Sequence, residues 1–370
     1  MSDRFSVVYK IAGNLEQAAA KAKQICIEQT VEFPPAHIGD PYILNTIIGQ
    51  IVSLTPSDQD AYLAEISYAA ESAGYELTQF LNVLFGNSSI NPGIRIERIQ
   101  LGDSLTQQLR GPRFGIQGIR EILGVHDRPL LSSAVKPMGT SVPDLARLAG
   151  QLTLGGLDMI KDDHGLADQR FSPFHERVTR VAEAVRAAEQ KTGCRCLYAP
   201  NITADGDETI RRAHLAKAAG AGALVISPAL CGFGFIKQIA ADETIALPIL
   251  FHPALAGSFT VHADSGISHA ALYGQIARIA GADATIFPNF GGRFSFARQE
   301  CAAIAQAACQ PMGHRKPIFP MPGGGLTLES IPDMVKFYGK EVIFLIGGGL
   351  FSAGPNLIDN CQKFKKLAGG

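Results

Sequence analysis

The chain has 370 residues, 46% of them hydrophobic, and a formal charge of −1 at neutral pH. That length suits one large domain beside a smaller one, and the balanced charge leaves neither a basic footprint for nucleic acid nor an acidic tail. No apolar run reaches the ~18–20 residues of a bilayer span.

The opening "MSDRFSVVYK" runs straight into strand-like sequence without the apolar core of a signal peptide. Residues 5–12 alternate as a strand, and residues 14–29 carry Ala and Ile at helical spacing. "IVSL" and "AYLAEISYA" predict a strand pair across the polar turn "TPSDQD". A helix follows at "ELTQFLNVLF", and "IRIERIQL" alternates as a further strand. The order β-α-β-β-α-β predicts a ferredoxin-like α+β domain over residues 1–125.

From residue 126 the rhythm changes. Eight short apolar runs recur: "PLLSSAVKP", "DMIKDD", "CLYAPNI", "ALVISPAL", "PILFHPA", "ATIFPN", "PIFPMPGGG" and "VIFLIGGG". Ala-rich amphipathic stretches such as "RVTRVAEAVRAAEQKTG" separate them. Continuous apolar strands alternating with helices predict a parallel sheet covered by helices. Eight such units predict a (β/α)8 TIM barrel over residues 126–370. The alternative, a doubly wound open sheet, would gather its polar residues at one switch point. Here they close nearly every strand.

Those strand ends define the candidate site, because the C-terminal face of a barrel carries its chemistry. They are Lys136, then Lys161 to His164, Asn201, His252, Asn289, and the glycine runs 323–325 and 347–349. A packed core would put Val or Ile there. Strand alternation sends Lys161 and Asp163 to one face and Asp162 to the other. Lys161 and Asp163 can then form an ion pair that closes the barrel top, or a site for a hard cation. Lysine joins such a site only after its amine takes up CO2 as a carbamate.

The two glycine runs follow the seventh and eighth strands, where barrels commonly bind phosphate through backbone N–H groups. The bland reading is a pair of tight turns. "NFGGRF" (289–294) reads as a glycine-hinged loop carrying Arg293, of the kind that closes over ligands. His252 is either a satisfied core histidine or a site residue. His37, His126, His175, His214, His262, His269 and His314 read as loop or helix-surface residues. The seven cysteines are an odd, scattered set in which only Cys194 and Cys196 lie close. With no second Cys or His pair at zinc-site spacing, they suit reduced thiols in a cytosol.

"GGLDMIKDDH", taken with "AVKPMG" and the glycine runs, resembles the RuBisCO superfamily, whose strand-2 motif is Gly-Gly-x-Asp-x-x-Lys-Asp-Asp-Glu. The resemblance spans nearly the whole chain. It implies that Lys161 is carbamylated and binds Mg2+ with Asp163, and that Lys136 is the proton-transfer base. It further implies that Gly324, Gly325, Gly348 and Gly349 hold a substrate phosphate. Arg293 takes the place of a mobile-loop lysine, and His252 that of the strand-5 histidine. Glu28 and Asn87 would reach the active site of a partner subunit, which implies a homodimer.

The departures from the motif carry function. Met138 stands where carboxylating members have a second lysine, and Pro253 where they have an arginine. Ile286 aligns with their strand-6 histidine and Gly323 with their strand-7 serine. Losing that arginine, histidine and serine dismantles the site for a second phosphate. A monophosphate with an apolar far end would suit Met138, Pro253 and Ile286. The chain therefore resembles the non-carboxylating RuBisCO-like proteins. Within them it resembles those that isomerise 5-methylthioribulose 1-phosphate to 1-methylthioxylulose 5-phosphate, in methylthioadenosine breakdown. The rivals are a 2,3-diketo-5-methylthiopentyl-1-phosphate enolase, a decarboxylase of a 3-oxo sugar-acid phosphate and a non-catalytic phosphate sensor. His164 replaces the third metal ligand, Glu: either its imidazole binds the ion, or water does and His164 handles protons.

Overall fold

The computed structural model describes residues 3–57, 60–294 and 296–370, so the tip of the expected turn at Asp58 and Gln59 lies outside the described residues. The chain divides into two compact units.

The first comprises Met1–Arg110, Ala256–Ala280 and Pro311–Arg315. Its strands β1 (Arg4–Ala12), β2 (Gln50–Pro56), β3 (Ala61–Ala69) and β4 (Ile94–Gln100) form an antiparallel sheet with β1 between β3 and β4. Phe5, Val7, Tyr9 and Ile11 alternate onto the buried face of β1, as a sheet packed on one side requires. Helices Leu15–Glu28 and Leu77–Phe85 complete the ferredoxin-like order. The first helix starts on an Asn14–Gln17 capping box, which satisfies two N–H groups left open at a helix start. A short strand β10 (Gly266–Ile267) adds in parallel to the β4 edge. Nothing in its two residues betrays it as a strand in the sequence.

The second unit comprises Gly111–Leu255, Gly281–Gln310 and Lys316–Gly370. Its eight parallel strands are β5 (Leu130–Val135), β6 (Met159–Asp162), β7 (Leu197–Ala199), β8 (Leu224–Ile226), β9 (Ile249–Phe251), β11 (Ala284–Pro288), β12 (Phe319–Gly323) and β13 (Ile343–Leu345). They run in the order β7-β6-β5-β13-β12-β11-β9-β8. The ring closes between β7 and β8, where Val225 donates to the Pro200 carbonyl at 2.9 Å and Ile202 donates to that of Val225 at 2.9 Å. This is the (β/α)8 barrel.

Helix Gly115–Leu123 seals the N-terminal end. Its Ile116, Ile119 and Leu123 pack with the first residues of the strands, among them Leu130, Met159, Leu197, Ala284, Phe319 and Ile343. Asp283 pins the start of that helix: its carboxylate accepts from the N–H groups of Phe114 and Gly115, both at 2.7 Å, and of Ile249 at 2.9 Å. Asp158 of the "GGLD" segment also works at this end. It takes both arms of Arg128 at 2.7 Å and the Leu131 N–H at 2.8 Å, joining β5 to β6. Such bidentate charge-assisted pairs are the strong ones. No helix among the described residues is long and apolar enough to cross a membrane.

Candidate active site

The alternation expected along β6 holds. Asp162 turns outward to the helix Phe174–Thr192, where Arg177 Nε donates at 3.0 Å, and Tyr198 Oη donates at 2.8 Å. Arg177 and Asp162 are both fully buried. The remaining arms of Arg177 reach the carbonyls of Ser172 and Ala167. A buried pair is tolerable only when its other hydrogen-bonding positions are filled in this way. Lys161 and Asp163 go to the barrel mouth instead.

Lys161 is 2% exposed and donates to the Asp162 carbonyl at 2.6 Å. Burial draws its amine down to about 8, against the pull of Asp163 and Asp162, and the charge of Lys136 lowers it further. Burial by itself would raise the Asp163 carboxyl, but the His164 contact and the Lys161 charge outweigh it, so the carboxyl stays well below the usual range. His164 Nδ1 lies 3.6 Å from Asp163 Oδ1. The ring of His252 stacks on His164 with centroids 4.7 Å apart and 16° from parallel. Burial holds His252 well below its ordinary pKa, and the charges of Lys161 and His164 act in the same direction. Its Nδ1 accepts from the Ala254 N–H at 3.2 Å, which leaves the proton of the neutral ring on Nε2.

Lys136 follows β5 and lies against the glycine turn after β13: a Cβ added to Gly347 would stand 3.2 Å from Lys136 Nζ. The structure thus gathers Lys136, Lys161, Asp163, His164 and His252 around one end of the barrel. Two of the strand-end glycines, Gly325 and Gly349, are there for want of room as much as for flexibility. A Cβ on Gly325 would come within 2.9 Å of Gly292 Cα, and one on Gly349 within 2.1 Å of the Leu326 carbonyl oxygen. Gly324 and Gly325 both hold positive φ, at 95° and 69°. The loop bearing Arg293 therefore starts backbone to backbone with the turn after β12. Arg293 itself is exposed, its guanidinium 4.9 Å from the centre of the Phe294 ring.

Two polar strand ends behave differently from the rest. Asn201 is 2% exposed and donates to the carbonyls of His164 and Leu166, both at 3.0 Å. Thr203 Oγ1 donates to its Oδ1 at 2.7 Å and accepts from the Ser227 N–H at 2.9 Å. Asn201 therefore clamps the turn that carries His164. Asn289, by contrast, faces helix Ile331–Tyr338, accepting from Tyr338 Oη at 2.8 Å. Ile286 is 3% exposed and packs within the barrel core. Met138 is exposed, its sulfur 3.6 Å from where a Cβ of Gly165 would stand. His269, expected at a surface, is buried in the first unit beside Tyr273. There too Asn87 Nδ2 donates to Glu28 Oε1 at 2.9 Å, so those two residues act as a pair. Cys194 is exposed, Cys196 is buried, and neither is in a disulfide.

Among the described residues, no three His, Cys, Asp or Glu side chains stand close enough together to hold a metal. Asp163 and His164 offer two donors. Lys161 supplies a third only as a carbamate, and an amine drawn down to about 8 is neutral often enough to take up CO2 near neutral pH. On that condition the donor set fits a divalent ion.

Residues 115–354 match the family model for the ribulose bisphosphate carboxylase large chain, catalytic domain. The chain belongs to the RuBisCO family. Within it, the 5-methylthioribulose-1-phosphate isomerase of Rhodospirillum rubrum is 36% identical over 371 residues, covering 100% of this chain and 97% of that one. The 2,3-diketo-5-methylthiopentyl-1-phosphate enolase of Geobacillus thermodenitrificans is 34% identical over 306 residues, 82% of this chain and 74% of that one. The crystal structure of a RuBisCO-like protein from Rhodopseudomonas palustris superposes with a TM-score of 0.89 at 38% identity, covering 100% of this chain and 98% of that one. The chain thus stands among the RuBisCO-like proteins of the family.

Proposed function

We propose that the chain is a metal-dependent isomerase of a sugar monophosphate, converting 5-methylthioribulose 1-phosphate to 1-methylthioxylulose 5-phosphate. The observation that carries this reading is the Lys136 amine, set between the buried Lys161 and the Gly347 turn. A base beside an anion-binding turn suits proton transfer on a phosphorylated chain.

In this reading Lys136 acts twice, each time removing a hydrogen from the carbon beside the carbonyl and returning it to the former carbonyl carbon, so that the carbonyl moves two carbons along the chain. The backbone N–H groups of Gly324, Gly325, Gly348 and Gly349 hold the phosphate. Neutral His252 donates from Nε2 to a substrate oxygen. Arg293 closes over the mouth on its glycine hinge. A divalent ion held by Asp163, His164 and carbamylated Lys161 would polarise the carbonyl and favour the enediolate. Glu28 and Asn87 complete the site of a partner subunit in a homodimer. A cytoplasmic metabolite is the matching substrate class.

Pro253 and Gly323 bring no cation or hydroxyl for a second phosphate, which argues against carboxylation of a bisphosphate. The relative named as an enolase favours one alternative, enolisation of the 2,3-diketone. Incubating the protein with each substrate in D2O and following proton exchange by NMR separates the two. Exchange confined to the diketone would overturn the isomerase reading. Absence of turnover with any sugar phosphate, together with retained phosphate binding, would point to a sensor.

A further inference from the structure

The segment 323–338 opens as the glycine turn after β12 and ends as the helix Ile331–Tyr338. One residue is tied to both of its ends. Asn289, 2% exposed just past β11, donates its N–H to the Gly323 carbonyl at 2.9 Å, and its Oδ1 accepts from Tyr338 Oη at 2.8 Å. Its Nδ2 donates to Met334 Sδ at 3.4 Å, one turn earlier on the same helix.

A phenylalanine would serve the packing here equally well. The Tyr338 ring meets those of Phe337, Phe344 and Phe290 at 4.6, 6.2 and 6.3 Å between centroids, and none of these contacts uses the hydroxyl. Burial and the neighbouring Cys301 both push the phenol pKa up, so the hydroxyl stays protonated and able to donate. What it holds leads back to the barrel mouth. From Asn289 the chain runs into Gly291 and Gly292, whose backbone lies against Gly325: a Cβ there would stand 2.9 Å from Gly292 Cα and 3.0 Å from Gly292 N. With no side chain between them, a shift of residues 289–292 passes directly to Gly324 and Gly325. We propose that Tyr338 is a positioning residue for the phosphate group, its hydroxyl fixing the Gly324–Gly325 turn through Asn289. That role rests on the phosphate reading given above and deepens it by naming the side chain that sets the turn from outside.

The test measures binding of inorganic phosphate to the intact protein by calorimetry, in wild type, Tyr338→Phe, Asn289→Ala and the double variant. Tyr338→Phe keeps the ring and loses only the hydroxyl. Its phosphate affinity should fall by about three- to tenfold, the order of one lost hydrogen bond. The double variant should lose no more than Asn289→Ala, because the hydroxyl reaches the turn only through that side chain. With 5-methylthioribulose 1-phosphate, Tyr338→Phe should raise KM while kcat holds. Unchanged phosphate affinity in Tyr338→Phe, or losses that add in the double variant, would overturn the assignment. Should Asn289→Ala fail to fold, Tyr338→Phe decides alone. Weakened phosphate binding in Tyr338→Phe, with no turnover of the sugar phosphate by wild type, would uphold the positioning role and remove the isomerase reading. Wild type that binds no phosphate would overturn both.

Discussion

The polar residues at the barrel mouth differ in their surroundings, and the proposed roles differ with them. Lys136 touches no partner that the fold needs, so Lys136→Ala should unfold at the temperature of wild type. Its turnover of the proposed methylthio sugar phosphate should fall by about 10²–10⁴-fold, the usual worth of a general base. Retained turnover would assign the base elsewhere. Asn201 acts at one remove, through the carbonyls of His164 and Leu166. Asn201→Ala should weaken ion binding, read by calorimetry, far more than it lowers kcat at saturating metal. If both fall together, Asn201 matters through the fold and not through the turn it clamps. The sequence points to Lys161, Asp163 and His252 by their place at strand ends. It gives no sign that Asn201 braces a neighbouring turn while Asn289 faces a helix, because the direction of a residue just past a strand is set by the loop that follows.

At the scale of elements, β6 joins two jobs in consecutive residues. One side carries the site; the other is bolted to the helix Phe174–Thr192 through Asp162 and Arg177. Arg177→Met leaves a fully buried carboxylate without its cation, which costs about 3–5 kcal/mol, to be read from urea denaturation. Asp162→Asn combined with Arg177→Met should recover part of that loss, since the uncompensated charge is gone. The turns after β11 and β12 form a second joint. Gly325→Ala puts a Cβ 2.9 Å from Gly292 Cα at a positive φ. It should raise KM for the phosphorylated substrate more than it lowers Tm; the reverse order would mean that the contact serves packing only. Element type and order were legible because the period switches from alternation to continuous apolar runs. The two-residue strand β10 was not, since it follows from pairing with β4 and not from its own sequence.

For the whole molecule, the barrel and the sheet unit come from different rhythms in one chain, and family membership confirms the fold those rhythms predict. If Glu28 and Asn87 serve a partner's site, two inactive variants should rescue each other. Lys136→Ala mixed and reassembled with Glu28→Ala/Asn87→Ala should regain roughly a quarter of wild-type activity, because half the dimers then hold one intact site. No recovery after confirmed subunit exchange would confine each site to its own chain. The substrate was less legible than the fold, because an apolar residue such as Ile286 at a strand end reads alike whether it packs the core or lines a pocket.

The helix that closes the floor of the barrel has a kinetic consequence. With Ile116, Ile119 and Leu123 packed into the far end, the proposed reactant, ion and carbon dioxide would enter by the opposite end of the barrel. Under the proposed function their arrivals would be queued: whatever prepares Lys161 would enter before the sugar phosphate, and a seated sugar would shield that preparation from being undone.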